Sequence, residues 1–132
     1  MRVADYIFQT LADRGAKHVF LVTGGGAMHL NDALRCEKRL IPVCQHHEQA
    51  CAIAAEGYVR AGGGLAVVSV TTGPGGTNAL TGVIGQWLDS VPGLYLSGHP
   101  MDQYRDAVHK LGAPTIGSIL EDFSQEGGPT RF

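Results

Sequence analysis

Residues 65–88 read LAVVSVTTGPGGTNALTGVIGQWL, and this stretch decides the fold. Leu65 to Thr71 is a short apolar run rich in valine, as expected of a strand buried on both faces of a parallel sheet. Gly73 to Gly76 (GPGG) reads as a turn, and Thr77 to Leu88 reads as a helix. Strand, glycine turn and helix make one β-α unit. The unit recurs upstream: Val19 to Val22 is a wholly apolar strand, Thr23 to Gly26 a turn, and Ala27 to Arg35 a helix. Leu40 to Cys44 is a further strand, read as buried like its neighbours, and His46 to Ala61 is the most helical stretch, closed by Gly62-Gly63-Gly64. Pro42 counts mildly against that strand, because a central strand needs the missing N–H. A leading helix over residues 2–14 puts Val3, Ile7, Phe8 and Leu11 on one face and stops at Gly15. Leu94 to Ser97 is the fourth strand; Thr115 to Phe123 fits one more strand or helix, and residues 124–132 read as a flexible tail. The expected architecture is α/β, an open and mostly parallel sheet with right-handed crossovers and helices on both faces.

The bulk composition agrees. With 132 residues, 44% apolar and 17% charged, the chain has material for one domain over 1–132 with a real core. A net charge of −2 speaks against a nucleic-acid binder, which tracks phosphates with excess lysine and arginine. No apolar run approaches the ~18 residues of a membrane span, and MRVADYIFQT lacks the apolar stretch of a signal peptide, so a soluble cytoplasmic protein is expected. Cys36, Cys44 and Cys51 are too few for a disulfide scaffold and read as reduced thiols. Cys44, His46, His47 and Cys51 lie close together, but C-x-H-H-x3-C is no zinc spacing, and no metal site is expected here.

In open parallel sheets ligands bind beyond the carboxyl ends of the strands. Three segments fall there: Thr23 to Gly26, the stretch around Glu48, and Thr72 to Asn78. Each glycine turn lets backbone approach a ligand and opens a helix with free N–H groups. Neither turn is a dinucleotide fingerprint, since His29 and Asn78 stand where the third glycine belongs, and no Gly-Lys-Ser/Thr marks a phosphate loop. Tight structural connections are the plain alternative. Glu48 stands out as a carboxylate in the first turn of an otherwise apolar helix; its bland reading is a partner of the helix dipole. Glu56 and Asp89 read as solvated or capping carboxylates, and His46-His47 as turn histidines or an acid/base pair.

HHEQACAIAAEGYVRAGG at 46–63, followed by VVSVTTGPGGTNALTGVIGQWLDSVP at 67–92, resembles the N-terminal, pyrimidine-binding domain of thiamine-diphosphate enzymes. Among these it is most similar to the acetolactate synthase large-subunit group, over roughly residues 1–100. The resemblance implies that Glu48 is catalytic: it hydrogen-bonds N1′ of the aminopyrimidine and favours the imino tautomer that removes the thiazolium C2 proton. A charge-assisted bond in a dry, apolar pocket suits that task. It further implies that Thr71, Pro74 and Asn78 line the pyrimidine and substrate side, with Thr23, Gly24 and Gly25 in the neighbouring turn. His99 belongs to the same cofactor-binding set, at a strand end where the synthases carry glutamine. The family turn usually reads Pro-Gly-Gly where this chain has Gly24-Gly25-Gly26, and His46 replaces the usual arginine.

Relatives of this kind hold the diphosphate through a metal with a Gly-Asp-Gly motif ending in two asparagines, and neither pattern occurs in these 132 residues. The resemblance therefore implies half a site, belonging to a split or truncated carboligase or decarboxylase of a 2-oxo acid. Its Mg²⁺ and diphosphate would be held by a diphosphate-binding domain on another chain. The alternative is a non-catalytic domain kept for binding or oligomerisation. Either way a contact face is expected, with Trp87 and Leu88 as candidates against an ordinary core role. A nucleotide or small-molecule module unrelated to thiamine is the third reading.

Overall fold

A computed structural model describes residues 1–98. The elements run α1 (Val3–Asp13), β1 (His18–Leu21), a 3-10 turn (Gly25–Ala27) leading into α2 (Met28–Cys36), β2 (Ile41–Cys44), α3 (Glu48–Arg60), β3 (Val67–Val70), α4 (Pro74–Leu88) and β4 (Leu94–Ser97). The strands form one four-stranded sheet, ordered β2-β1-β3-β4, with every neighbouring pair parallel. The α/β expectation holds. The element expected over 115–123, the tail at 124–132 and His99 lie outside the described residues.

Two apolar layers sandwich the sheet. Ala4, Phe8 and Leu11 of α1 and Ala33 and Leu34 of α2 pack with Val19, Leu21 and Val67 on one face. Cys51 and Ala55 of α3 and Ala79 of α4 pack with Phe20, Val68 and Val70 on the other. Alternation along β1 explains the split, since successive side chains point to opposite faces. After β1 the chain turns into a helix on the first face; after β3 it turns into a helix on the second. β1 and β3 are neighbours, so the carboxyl ends of this pair form the crevice where connections diverge. Among the described residues no helix is long and apolar enough to cross a membrane.

The structure corrects two readings. β2 is not a buried strand: Ile41, Pro42 and Cys44 are exposed, because β2 is the edge of the sheet. The edge position also accommodates Pro42. Ile41 and Gln45 donate their N–H groups to Lys17 and Leu21 on the β1 side, and alternation turns the nitrogen of Pro42 toward the open edge. Second, GPGG is not wholly turn, for α4 starts at Pro74. Gly73, at φ 65°, makes the reversal that only glycine adopts freely, and Pro74 takes the first helical position, where its missing N–H costs nothing.

α3 and α4 approach each other most closely where Gly82 meets Ala52. A Cβ on Gly82 would fall on that of Ala52, with the Ala52 Cα and carbonyl carbon 3.2 Å away. The buried Gln86 amide donates to the Ala52 carbonyl at 3.1 Å, and Arg60 bridges Glu56 and Asp89 near the far ends. This close approach sets the separation of the residues that α3 and α4 carry at their N-termini. Gly82→Val is expected to lower stability by about 1–3 kcal/mol, read as a lower urea midpoint, because the Ala52 backbone cannot yield as a side chain could. An unchanged midpoint would show that the two helices have room to separate.

Candidate functional site

The carboxyl ends of the strands bring together residues from three loops. Glu48 is the first residue of α3, and His47 caps the helix, its Nδ1 accepting from the Gln49 N–H at 3.1 Å. That capping bond gives His47 a structural occupation, in line with the turn-histidine reading. The free N–H groups of the first turn place partial positive charge beside the Glu48 carboxylate. Glu48 Oε2 accepts from Nδ2 of Asn78, on α4, at 3.0 Å. Asn78 lies three residues after Gly75, on the same side of its helix. A Cβ on Gly75 would sit 3.4 Å from Glu48 Oε1 and 2.7 Å from Thr71 Cγ2. Thr71 also reaches the first loop, for its Cβ lies 2.5 Å from where a Gly24 Cβ would stand. Thr71 is thus wedged between Gly24 and Gly75, and the wedge joins the loop after β1 to the start of α4.

Of the residues singled out from the sequence, Glu48, Asn78, Thr71 and Gly24 therefore form one contiguous group. Gly24 has its open face filled by Thr71, which gives it a packing role. Gly25 has nothing within 4 Å of its vacant Cβ position, and Thr23 and Pro74 are exposed along the rim. Gly75 was missed as a site residue. Its signal was available: a glycine three residues before Asn78, on the helix face that meets Glu48. Glu48 is half-buried and Asn78 is exposed, because both stand at the outer end of the sheet.

The electrostatics single out the same carboxylate. The described residues contain seven acidic side chains. Six of them, Asp5, Asp13, Asp32, Glu37, Glu56 and Asp89, are paired with arginine. Arg2 holds Asp5 down at about 2, and Arg39 does the same to Glu37. Glu48 has no cationic partner among the described residues, only the neutral amide of Asn78. One turn along α3, burial and then the nearby Glu48 charge push the Cys51 thiol up to about 11, so it stays protonated at neutral pH and is no nucleophile. Glu56 and Asp89 are neither plainly solvated nor free: both are paired with Arg60.

The profile of the family described as "Thiamine pyrophosphate enzyme, N-terminal TPP binding domain" matches residues 1–121. The chain belongs to that family. It is 42% identical over 95 residues to the acetolactate synthase isozyme 3 large subunit of Escherichia coli, covering 72% of this chain and 17% of the relative. To the acetolactate synthase large subunit of Lactococcus lactis it is 38% identical over 116 residues, 86% of this chain and 20% of the relative. A probable acetolactate synthase large subunit of Methanocaldococcus jannaschii is 39% identical over 98 residues, with 74% and 16% covered. The chain thus spans a fifth or less of the length of these relatives. As a thiamine-pyrophosphate-enzyme domain it has a cofactor implied by its family. The residues present fit the aminopyrimidine end of that cofactor: an uncompensated carboxylate beside a glycine face can accept a hydrogen bond from a flat heterocycle.

Proposed function

We propose that this domain is the pyrimidine-binding half of a thiamine-diphosphate site in a carboligase or decarboxylase acting on a 2-oxo acid, of the acetolactate synthase type. The observation that carries the reading is the isolation of Glu48. Six carboxylates are neutralised by arginine, and the seventh stands at the crevice where α/β sheets bind ligands, bonded only to an amide. Glu48 would share a proton with the aminopyrimidine ring nitrogen, accepting from it when that nitrogen is protonated, and the Thr71–Gly75 surface would support the ring's flat face. Gly24, Gly25, Thr23, Pro74 and His99 complete the proposed set. When bound, the cofactor supplies the carbanion chemistry of 2-oxo acid cleavage and transfer. What the chain supplies is orientation and a site for a proton at Glu48. Mg²⁺ and the diphosphate fall to a diphosphate-binding domain beyond these residues.

The test is a titration of the isotope-labelled chain with thiamine diphosphate at millimolar concentration, followed by amide shifts. Perturbations are expected at Glu48, Thr71, Gly75 and Asn78, and their loss in Glu48→Ala. Shifts confined to the α1–α2 side of the sheet would refute the reading.

Such a half-site needs a partner surface. Trp87 is 68% exposed and Leu88 74% exposed, so neither is a core residue. Ile84 and Ile53 are exposed on the same helix pair, and a run of large apolar side chains in water marks a contact face. The protein is expected to associate, with itself or with a diphosphate-binding chain. Light scattering at high micromolar concentration checks this, and a strict monomer that also ignores such a partner would count against the proposal.

A further inference from the structure

We propose that Asn78 is a positioning residue, which fixes the Glu48 carboxylate by holding one of its oxygens and so presents the other to the ligand. The inference rests on the reading of Glu48 as the aminopyrimidine partner and adds the means by which that glutamate is aimed. A glutamate has three side-chain torsions, the last broad and roughly two-fold, so an unheld carboxylate samples many orientations. Here Oε2 accepts from Asn78 Nδ2 at 3.0 Å, across 30 residues of sequence. Only the amide nitrogen can face the carboxylate, since the amide oxygen there would set two acceptors against each other. Oε1 is left on the side of Gly75, 3.4 Å from where a Cβ would stand, a position that Thr71 Cγ2 fills instead. That oxygen carries no other bond among the described residues.

The choice of an amide matters. An arginine would orient the carboxylate equally well, as Arg2, Arg39 and Arg60 do elsewhere, but it would also neutralise the charge. Asparagine orients without a counter-charge, so the negative charge stays available to a ring nitrogen that binds through a proton. The geometry has a second support. Asn78 and Gly75 share a helix face, so one rigid element provides the donor to Oε2 and, at Gly75, a backbone without a side chain that lets Thr71 pack beside Oε1.

The experiment uses the full 132-residue chain, labelled for NMR, with Asn78→Asp and Asn78→Ala. Alanine removes the donor without adding charge, whereas aspartate keeps the shape of asparagine but sets a second carboxylate against Glu48. Alanine therefore reads the loss of the donor, and aspartate the same loss with repulsion added. In the wild type the two Glu48 γ-protons are expected at distinct shifts, and one Asn78 amide proton is displaced from its mate. In both variants the γ-protons should merge while the backbone spectrum of the sheet is unchanged. Thiamine, the probe, should bind the wild type at millimolar concentration and the Asn78→Ala chain roughly 10-fold more weakly, the loss of one hydrogen bond to a charged group. Glu48 γ-protons that stay distinct in Asn78→Ala, or equal thiamine affinity in the two chains, would overturn the inference. Thiamine shifts that persist in Glu48→Ala would instead overturn the cofactor reading, and the merging of the γ-protons would still decide the role of Asn78.

Discussion

Glu48→Gln is expected to remove turnover from the completed enzyme while leaving most of the cofactor affinity. Glutamine has nearly the shape of glutamate, and its oxygen can still accept from Asn78, so the contact at 3.0 Å survives. What it loses is the charge and the capacity to take a proton. General acid–base participation contributes about 10²–10⁴-fold, so kcat should fall by that amount. The apparent affinity should change only a few-fold, because on the proposed reading the charged anchor of thiamine diphosphate would be held by a diphosphate-binding domain. Asp89→Asn, which breaks an arginine pair away from the sheet's carboxyl ends, serves as the control and should leave kcat unchanged. Steady-state kinetics on the reconstituted enzyme separates the two effects. Full activity in Glu48→Gln would overturn the proposed role.

The 132-residue chain by itself should bind thiamine diphosphate no more tightly than millimolar, and Mg²⁺ should not improve it. A diphosphate is held through a metal by oxygen ligands. Among the described residues no three acidic, histidine or cysteine side chains gather to hold a cation, and the sequence contains neither Gly-Asp-Gly nor Asn-Asn. The Glu48 bond, a few backbone contacts and one face of an aromatic ring remain. Together they supply roughly 4–6 kcal/mol before the cost of immobilising the ligand, which corresponds to millimolar binding or weaker. With a diphosphate-binding domain present, affinity should rise by about 10³-fold or more and become metal-dependent. Calorimetry on the chain alone, with and without Mg²⁺, checks this. Micromolar, Mg²⁺-dependent binding would refute the half-site.

Which parts of this protein can be read along the chain, and which cannot, follows from the range of the forces involved. The order of strands and helices is a local matter. Val19 to Leu21 and Val67 to Val70 are buried at every position, and apolar at all but Ser69, because both faces of a central parallel strand are covered. Glycines close the helices at Gly15 and Gly62, where φ is 85° and 81°. The site was half legible by the same means: Glu48 is an acidic residue opening an apolar helix, and the glycine turns name the loops around it. The family motifs carried the rest of its reading.

Other features depend on where distant segments meet. Leu40 to Cys44 looks like any apolar strand, and only the order β2-β1-β3-β4 makes it an exposed edge that tolerates Pro42. Asn78 becomes the partner of Glu48 because Gly82 lets α4 settle onto Ala52 of α3, a contact no periodicity encodes. Trp87 and Leu88 read equally well as core or surface until the packing of α4 turns them outward. The isolation of Glu48 is of the same kind, for it emerges only when Arg2, Arg35, Arg39 and Arg60 have found the other six carboxylates in space. Periodicity and turn chemistry act over a few residues, whereas a carboxylate's partner is set by strand order and helix approach, and those exist only once the chain has packed.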